Sequence, residues 1–467
     1  MPLEVFFGST LNRFLSETNQ RRSSIVRRKS MSPLKPHQEG PRNALQLILS
    51  LEFGSALIGK TILVTAFWAQ TMLFVVLTFE RTGSAAWVGL VLAAQLLPQV
   101  FLAILSGSMA DKRGPRIPIV LGGLCAGTGS ISLAIWLEIP ALANLIPVEM
   151  PLLASSVICG VGIALASAAL QAVPPRLSRP NEHATAMSLN FLPSALGRTL
   201  GPLVGAWLGS AVGPILTLAI LAGICFVSAS VFLLIRRLGT PSITTGGPRR
   251  LRDVTKHVWN DKPLLAAICA AAAISAAAEA SVTLAPNIGS LLGIGTVGAG
   301  WVTGAFGLGG LAGILTYRVF TTFLRPQSVG LLSMVILGVS LALVGLVPSL
   351  GFATAMLILG GASMVMGITA FGVVVQQRAP AQFLGRIMAI WVMAFSGVRP
   401  VSGLVLGLVS DHVSTTSAIL GAAFVAAATG VCVHLWSRSV SRRALAGKKG
   451  PVDPNVADAA TSVRDKI

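Results

Sequence analysis

The sequence predicts an all-α membrane protein of twelve transmembrane helices, arranged as two six-helix bundles with both termini cytoplasmic. Composition, the length of the apolar runs and the placement of basic residues carry that expectation. Of 467 residues, 53% are hydrophobic and only 11% are charged, with 49 glycines and a mean hydropathy of +0.78. A soluble chain carries about 25% charged residues. The deficit means that much of this surface faces a solvent other than water.

The apolar runs set the elements. Segments such as 86–108 (AWVGLVLAAQLLPQVFLAILSGS) and 213–235 (GPILTLAILAGICFVSASVFLLI) are long enough to cross roughly 30 Å of hydrocarbon as helices. Backbone amides in lipid must be satisfied within the segment, which selects helix over open strand. Spans are expected near 56–79, 86–108, 115–138, 149–173, 184–209 and 213–235. After a polar stretch they continue near 263–288, 297–318, 327–347, 352–376, 386–410 and 414–436. The tract 44–79 is interrupted by Glu52 and Lys60 and has room for a span plus an interfacial helix.

Charge placement orients these spans. Of 35 Lys and Arg residues, 31 fall in the tail 1–45, the loop 236–262, the tail from 437, and the loops at 111–116, 176–179, 318–325 and 378–386. Lys and Arg accumulate on the cytoplasmic side. Both termini and every even-numbered loop are therefore expected inside, which requires an even number of spans. The net charge of +19 is accounted for by this asymmetry, aided by anionic headgroups. Nucleic-acid binding is not expected, because the basic residues are scattered rather than gathered into one patch.

The domain organisation expected is a disordered basic tail (1–45), a first bundle (46–235), a linker (236–262), a second bundle (263–436) and a tail (437–467). No sustained apolar core marks a signal peptide in the first forty residues, and translation from Met1 or from Met31 fits equally. The five cysteines sit within apolar spans at no metal-ligand spacing and read as packing residues. No phosphate-binding loop and no Ser/His/Asp or metal constellation occurs in the sequence, so neither an enzyme nor a cofactor is expected.

Internal repetition supports the two bundles. Span 5 holds Pro202, Gly205 and Gly209, and span 11 repeats the pattern 198 positions later with Pro400, Gly403 and Gly407. Small residues allow close helix approach in lipid, and proline bends a span. Both are expected at the boundary between two halves that rock about a central site.

The loop after span 2 reads GSMADKRGPR, with Gly107, Asp111, Lys112, Gly114 and Arg116. Gly107 is expected to let span 2 pack closely, Asp111 to cap the next helix or pair with a cation, and Gly114 with Pro115 to turn the chain. This loop resembles the gating signature of the major facilitator superfamily. The matching loop of the second half has Tyr317, the chain's one tyrosine, in place of the aspartate. Span 5 carries Gly197, Gly201, Pro202, Gly205 and Ala206, similar to the antiporter motif of proton-linked exporters with Ala206 for the last glycine. Within the superfamily, 81–99, 198–208 and 384–397 look most like the enterobactin-exporter branch of siderophore and multidrug exporters. The resemblance implies the major facilitator fold in a bacterial inner membrane, a small amphipathic substrate moved outward, protons as coupling ion and a monomer; the alternatives are facilitated or cation-coupled uptake of a small solute and a transporter-like sensor without flux. Span 4 departs from many drug–proton antiporters in having no Lys or Arg.

Ionisable groups inside spans are costly and mark function by default. Glu279 lies in span 7, on one expected helix face with Ser275 and Thr283. It reads either as a coupling or substrate-cation residue, since a desolvated carboxylate can exchange a proton as access alternates, or as a carboxylate bonded to a neighbouring helix. Arg198 in span 5 and Arg399 in span 11 read as anion ligands or partners of Glu279, and Arg198 alternatively snorkels. Lys60 reads as a snorkelling residue, and Gln95, Gln171, Gln376 and Gln377 as polar contacts between helices.

Overall fold

The computed structural model describes residues 42–235, Leu238, 251–380 and 383–447; the expected tails at 1–41 and from 448 onward lie outside them. Twelve helices of 17 residues or more run through the described residues: α1 (Leu51–Thr82), α2 (Ala85–Arg113), α3 (Arg116–Glu138), α4 (Glu149–Gln171), α5 (Leu192–Val212), α6 (Pro214–Leu234), α7 (Lys262–Ala278), α8 (Ala299–Phe323), α9 (Pro326–Leu346), α10 (Leu350–Arg378), α11 (Leu384–His412) and α12 (Thr415–Gly447). Eleven are long and apolar enough to cross a membrane, and α5 is the exception. Arg198, two prolines and four glycines dilute its hydropathy, and the same small residues let it pack closely.

Local chemistry sets the ends. Gly83 (φ +66°) stops α1, and Ser84 then caps α2 by accepting from Trp87 N at 3.2 Å. Gly114 (φ +83°) provides the left-handed turn before α3 that a side chain would strain. Asp261 caps α7 through Leu264 N.

Helix pairing repeats. In the first group α1 packs on α5 and α6, α3 on α4 and α6, and α2 on α4. Adding six to each label gives the second group: α7 on α11 and α12, α9 on α10 and α12, α8 on α10. Two extensive pairings join the groups, α2 with α11 and α5 with α8, and they too are related by that shift. One buried apolar cluster draws on residues 47–238, and another on 258–433 with Met72, Val75, Val76, Ala85, Val88, Leu92 and Ala206 added from the first group.

Glycine makes the joints. A Cβ on Gly201 would lie 2.5 Å from Trp68 Cβ, and one on Gly197 2.7 Å from Val64 Cγ1, so the α5 stripe that includes Gly205 packs on α1. This corrects the expectation that the stripe lies between the halves. The joint between α5 and α8 is made from the other side, by Gly300, Gly304 and Gly307 against Pro202, Leu203 and Thr199. In α11 the expectation is met: Gly403 abuts Gly89 and Gly407 abuts Ala85, both of α2.

Other elements depart from the sequence reading. Tract 44–79 is a short helix, Ala44–Ile48, followed by α1. Span 5 is broken at Asn190 and Phe191, and the segment 236–262 contains a helix, Leu251–Asn260. The last helix continues to Gly447, past the expected start of the tail. Span 7 ends at Ala278 and resumes as two short helices, Ala280–Thr283 and Ala285–Leu291. Gly107 faces open space and is not a close-packing position. The Asp111 side chain lies outside the described residues, and α3 starts at Pro115 with no side-chain cap.

At the basic end, Glu182 is buried and takes a fork of bonds from Arg42: Nε at 2.9 Å, Nη2 at 2.8 Å and the backbone N at 3.0 Å. Arg42, and then the Arg179 backbone amide, hold the Glu182 carboxyl down at about 2, against an ordinary value of 4.5. Because the folded value is depressed, this group stabilises the fold above about pH 4.5, and the contribution is lost as pH falls through about 2.

Two outcomes are expected. Glu182→Gln should flatten the fall in thermal midpoint between pH 4.5 and 2 measured on detergent-purified protein. Gly201→Leu should cost about 1–3 kcal/mol by overpacking the α1–α5 joint, read as a lower thermal midpoint at neutral pH.

Candidate functional site

The site forms where α7, α11 and α2 converge on Gly403. A Cβ there would lie 3.0 Å from Thr283 Oγ1 and 3.6 Å from Glu279 Cγ, with Gly89 Cα at 3.9 Å. The interruption of α7 falls at Glu279, whose side chain is 1% exposed. Glu279 Oε2 accepts from Arg399 Nε at 2.7 Å. Oε1 finds no partner, and neither do the buried hydroxyls of Ser275 and Thr283. The expected stripe of Ser275, Glu279 and Thr283 is thus buried beneath α11, and Glu279 reaches the cavity through Arg399.

Arg399 reaches in from the second group to line a cavity of about 190 Å³ whose other walls belong to the first group, Lys60, Trp68, Thr71, Gln95 and Gln171 among them. Its guanidinium carbon lies 5.9 Å from the centre of the Trp68 ring, and that of Arg198 lies 5.4 Å from it. Contacts of this kind stabilise a cation by about 0.5–2 kcal/mol, which partly offsets its burial. Arg198 also donates to Met364 Sδ at 3.3 Å, bridging α5 to α10. It does not pair with Glu279.

Lys60 corrects the sequence reading. It is 4% exposed and does not snorkel to solvent. Its ammonium donates to Asn190 O at 2.8 Å and to Asn190 Oδ1 at 2.7 Å, where the chain breaks before α5. Asn190 in turn donates to Gln171 Oε1 at 2.6 Å. The Gln95 amide meets Thr71 Oγ1 at 3.1 Å, a hydroxyl already donated to Phe67 O at 2.8 Å, which leaves at least one Gln95 N–H without an acceptor. Gln376 and Gln377 are exposed near the end of α10.

Sequence reasoning missed Asp411. Its Oδ1 accepts from Ala85 N at 2.8 Å; its Oδ2 accepts from Ala86 N at 2.9 Å and from Ser84 Oγ at 2.5 Å. A carboxylate on the first amides of α2 is the favourable pole for an anion. It ties α11 to α2 across the groups, at the end away from the basic loops. Thr296 donates to Glu80 Oε1 at 2.8 Å at the same end. The signal available was an aspartate at the close of one span and a serine cap at the start of another, with nothing in the sequence to pair them. At the basic end, the bonds of Arg42 to Glu182 and of Arg378 to Asp261 each stay within one group.

The comparisons with known proteins fit this geometry. Residues 56–403 match the family model described as Major Facilitator Superfamily. The multidrug efflux pump Tap of Mycolicibacterium fortuitum is 24% identical over 351 residues, covering 72% of this chain and 83% of that protein. Multidrug resistance protein MdtH of Aeromonas hydrophila subsp. hydrophila is 33% identical over 133 residues, covering 28% of this chain and 30% of that protein. The chain thus matches only about a third of the length of the MdtH relatives. Among solved structures, a POT family transporter in complex with 5-aminolevulinic acid superposes with a TM-score of 0.66 at 12% identity, over 83% of this chain and 96% of that one. A bacterial homologue of the human lysosomal transporter Spinster, in an inward-facing and unoccupied conformation, gives 0.63 at 14% identity, over 82% and 95%. The solved structures speak to fold alone. With eleven membrane-length apolar helices, the six-helix repeat in their packing and a family match over most of its length, the chain is an integral membrane protein and belongs to the Major Facilitator Superfamily of transporters.

Proposed function

We propose that this protein is a secondary active exporter of a small amphipathic molecule of drug or siderophore type, working by alternating access in a bacterial inner membrane with protons as the coupling ion. The observation that carries this reading is the buried Glu279–Arg399 pair, placed at the end of α7, with Arg399 reaching from the second group into the cavity of the first. In this reading α5 is a twelfth span, the bundles are 46–235 and 263–436, the protein acts as a monomer, and the basic ends of the helices face the cytoplasm.

The chemistry follows from the pair. Glu279 Oε1 is a buried carboxylate oxygen without a partner, an arrangement that is expensive to maintain. A proton taken there satisfies the oxygen with its neighbours and cancels the charge that holds Arg399. Removing one member of a buried pair leaves the other uncompensated, at about 3–5 kcal/mol, enough to bias α11 between two positions against α7. The resemblance of Gly197, Gly201, Pro202 and Gly205 to the antiporter motif supports exchange of substrate for protons. The multidrug relatives MdtH and Tap support an outward direction.

Cross-group bonds at the Asp411 end, with exposed Phe101, Leu105, Leu315 and Phe323 of α2 and α8 toward the basic loops, support a conformation open to the cytoplasm. Asp411 on the α2 N-terminus is then a latch on the outer side. The GSMADKRGPR loop, with Gly107, Asp111, Lys112, Gly114 and Arg116, is its counterpart on the inner side, engaged in the opposite conformation.

Two measurements test this. In proteoliposomes, Glu279→Gln should abolish efflux driven by a pH gradient while sparing substrate counterflow at equal pH; efflux that still follows the gradient would remove Glu279 from coupling. Asp411→Asn should raise the accessibility of a cysteine placed at Ala85 to an external thiol reagent several-fold; unchanged labelling would mean that the carboxylate is not a latch.

A further inference from the structure

Charge around the central cavity does not balance. Four ionisable side chains lie in the mid-membrane part of the described structure: Lys60, Arg198, Arg399 and Glu279. Glu279 is committed to Arg399 at 2.7 Å. Lys60 is buried on neutral acceptors alone, the carbonyl and amide oxygens of Asn190. Arg198 has a thioether and the Trp68 ring around it, and shares the field of the single Glu279 carboxylate with Arg399 without a direct bond to it. One carboxylate thus faces three cations, and Lys60 in particular is held in a low-dielectric region on neutral acceptors alone, which is costly.

The neutral groups at the cavity point the same way. Gln95 is 1% exposed, and its amide meets the Thr71 hydroxyl at 3.1 Å, a hydroxyl already donated to Phe67 O at 2.8 Å, which leaves at least one Gln95 N–H without an acceptor. It lines the same cavity as Lys60 and Arg399. Lys60 has three N–H donors, of which two are used, and the Arg198 guanidinium has five, of which one meets a weak sulfur acceptor. The cavity is thus lined by two cations, Lys60 and Arg399, and by neutral polar groups, with no carboxylate in its wall. A multidrug site built for cations would show the reverse: carboxylates facing aromatic walls, with cations excluded.

We propose that the substrate carries an anionic group, a carboxylate, sulfonate or phosphate on an aromatic or aliphatic body, and that Lys60 and Gln95 bind that group, with Arg198 adding positive charge from behind Trp68, while Val64, Phe67, Trp68, Leu92 and Leu96 contact the body. This rests on the reading of the cavity as the transport site. The indole of Trp68 shares its ring with the guanidiniums of Arg198 and Arg399 and gives the apolar part of the ligand a flat surface beside the charge. Outward movement of an anion is also favoured by an interior-negative membrane potential.

A matched pair of probes tests it. 8-Anilinonaphthalene-1-sulfonate and N-phenyl-1-naphthylamine share one ring system and differ in the sulfonate; ethidium supplies a cation. Binding is read in nanodiscs by energy transfer from tryptophan, against empty nanodiscs, and flux is read in proteoliposomes. The sulfonate should bind at least tenfold more tightly than the neutral probe and resist displacement by ethidium. Lys60→Gln with Arg198→Gln should weaken the sulfonate at least tenfold and the neutral probe less than threefold, the latter showing that the variant is folded. Arg198→Lys, which keeps the charge, should retain most of the sulfonate affinity. Equal affinity for the two naphthalenes, preference for ethidium, or a sulfonate affinity indifferent to both substitutions would overturn the anion assignment while leaving export intact. Charge-dependent binding of the sulfonate without flux would uphold the anion site and overturn the exporter reading.

Discussion

Everything in the central site depends on how closely three helices approach at Gly403. Lipid tails are as apolar as the side chains they touch, so helices in a membrane associate by packing and polar contacts rather than by leaving water. A glycine lets two backbones come within reach of one another, and Gly403 meets Gly89 on one side and the Glu279–Thr283 segment on the other. That contact places Arg399, one turn earlier on α11, against Glu279 at the interruption of α7. A larger residue at 403 would press first on Thr283 Oγ1 and then on Glu279 Cγ. The buried charge is thus a consequence of backbone packing.

The same economy joins the two helix groups. The α2–α11 and α5–α8 pairings are each built on small residues, with glycine contributed by both partners at the first and mostly by α8 at the second. Smooth contacts with few hydrogen bonds hold two bodies together without locking them, which suits halves that must rock. Polar contacts cross the groups at the rim on Asp411 and Glu80, and within the helices at Arg198 and Met364. In the proposed reading, glycine-lined contacts with carboxylate bonds at the rim would favour two discrete arrangements over a continuum.

Charge inside the membrane then becomes informative because there is so little of it. Glu279 and Arg399 share one bond that leaves Oε1 over, whereas Lys60 and Arg198 are supported by an amide, a carbonyl, a sulfur and an indole. Each support is weaker than a carboxylate, and each leaves donors to spare. A site that must bind and release its cargo requires that margin: a cation already neutralised by the protein has little left for a ligand.

Much of the architecture was legible in the sequence, because the solvent imposes it. Apolar runs of membrane length follow from hydrocarbon thickness, and that does not depend on which helix touches which. Ionisable residues inside spans were equally visible, since composition alone makes them exceptional. The partners of those residues were not visible. Lys60 reads as a snorkelling end residue until Asn190, 130 positions away, is folded against it. The glycines of α5 read as an inter-bundle stripe until α1 is seen to occupy that face. Asp411 and Ser84, 327 positions apart, carry no shared pattern. The break of α7 at Glu279 has no proline or glycine at that position to announce it. Periodicity and composition are local properties and determine which segments are helices in lipid. Pairing, charge compensation and the place where a helix is interrupted are set by the chain's packing on itself, and only the tertiary structure decides them.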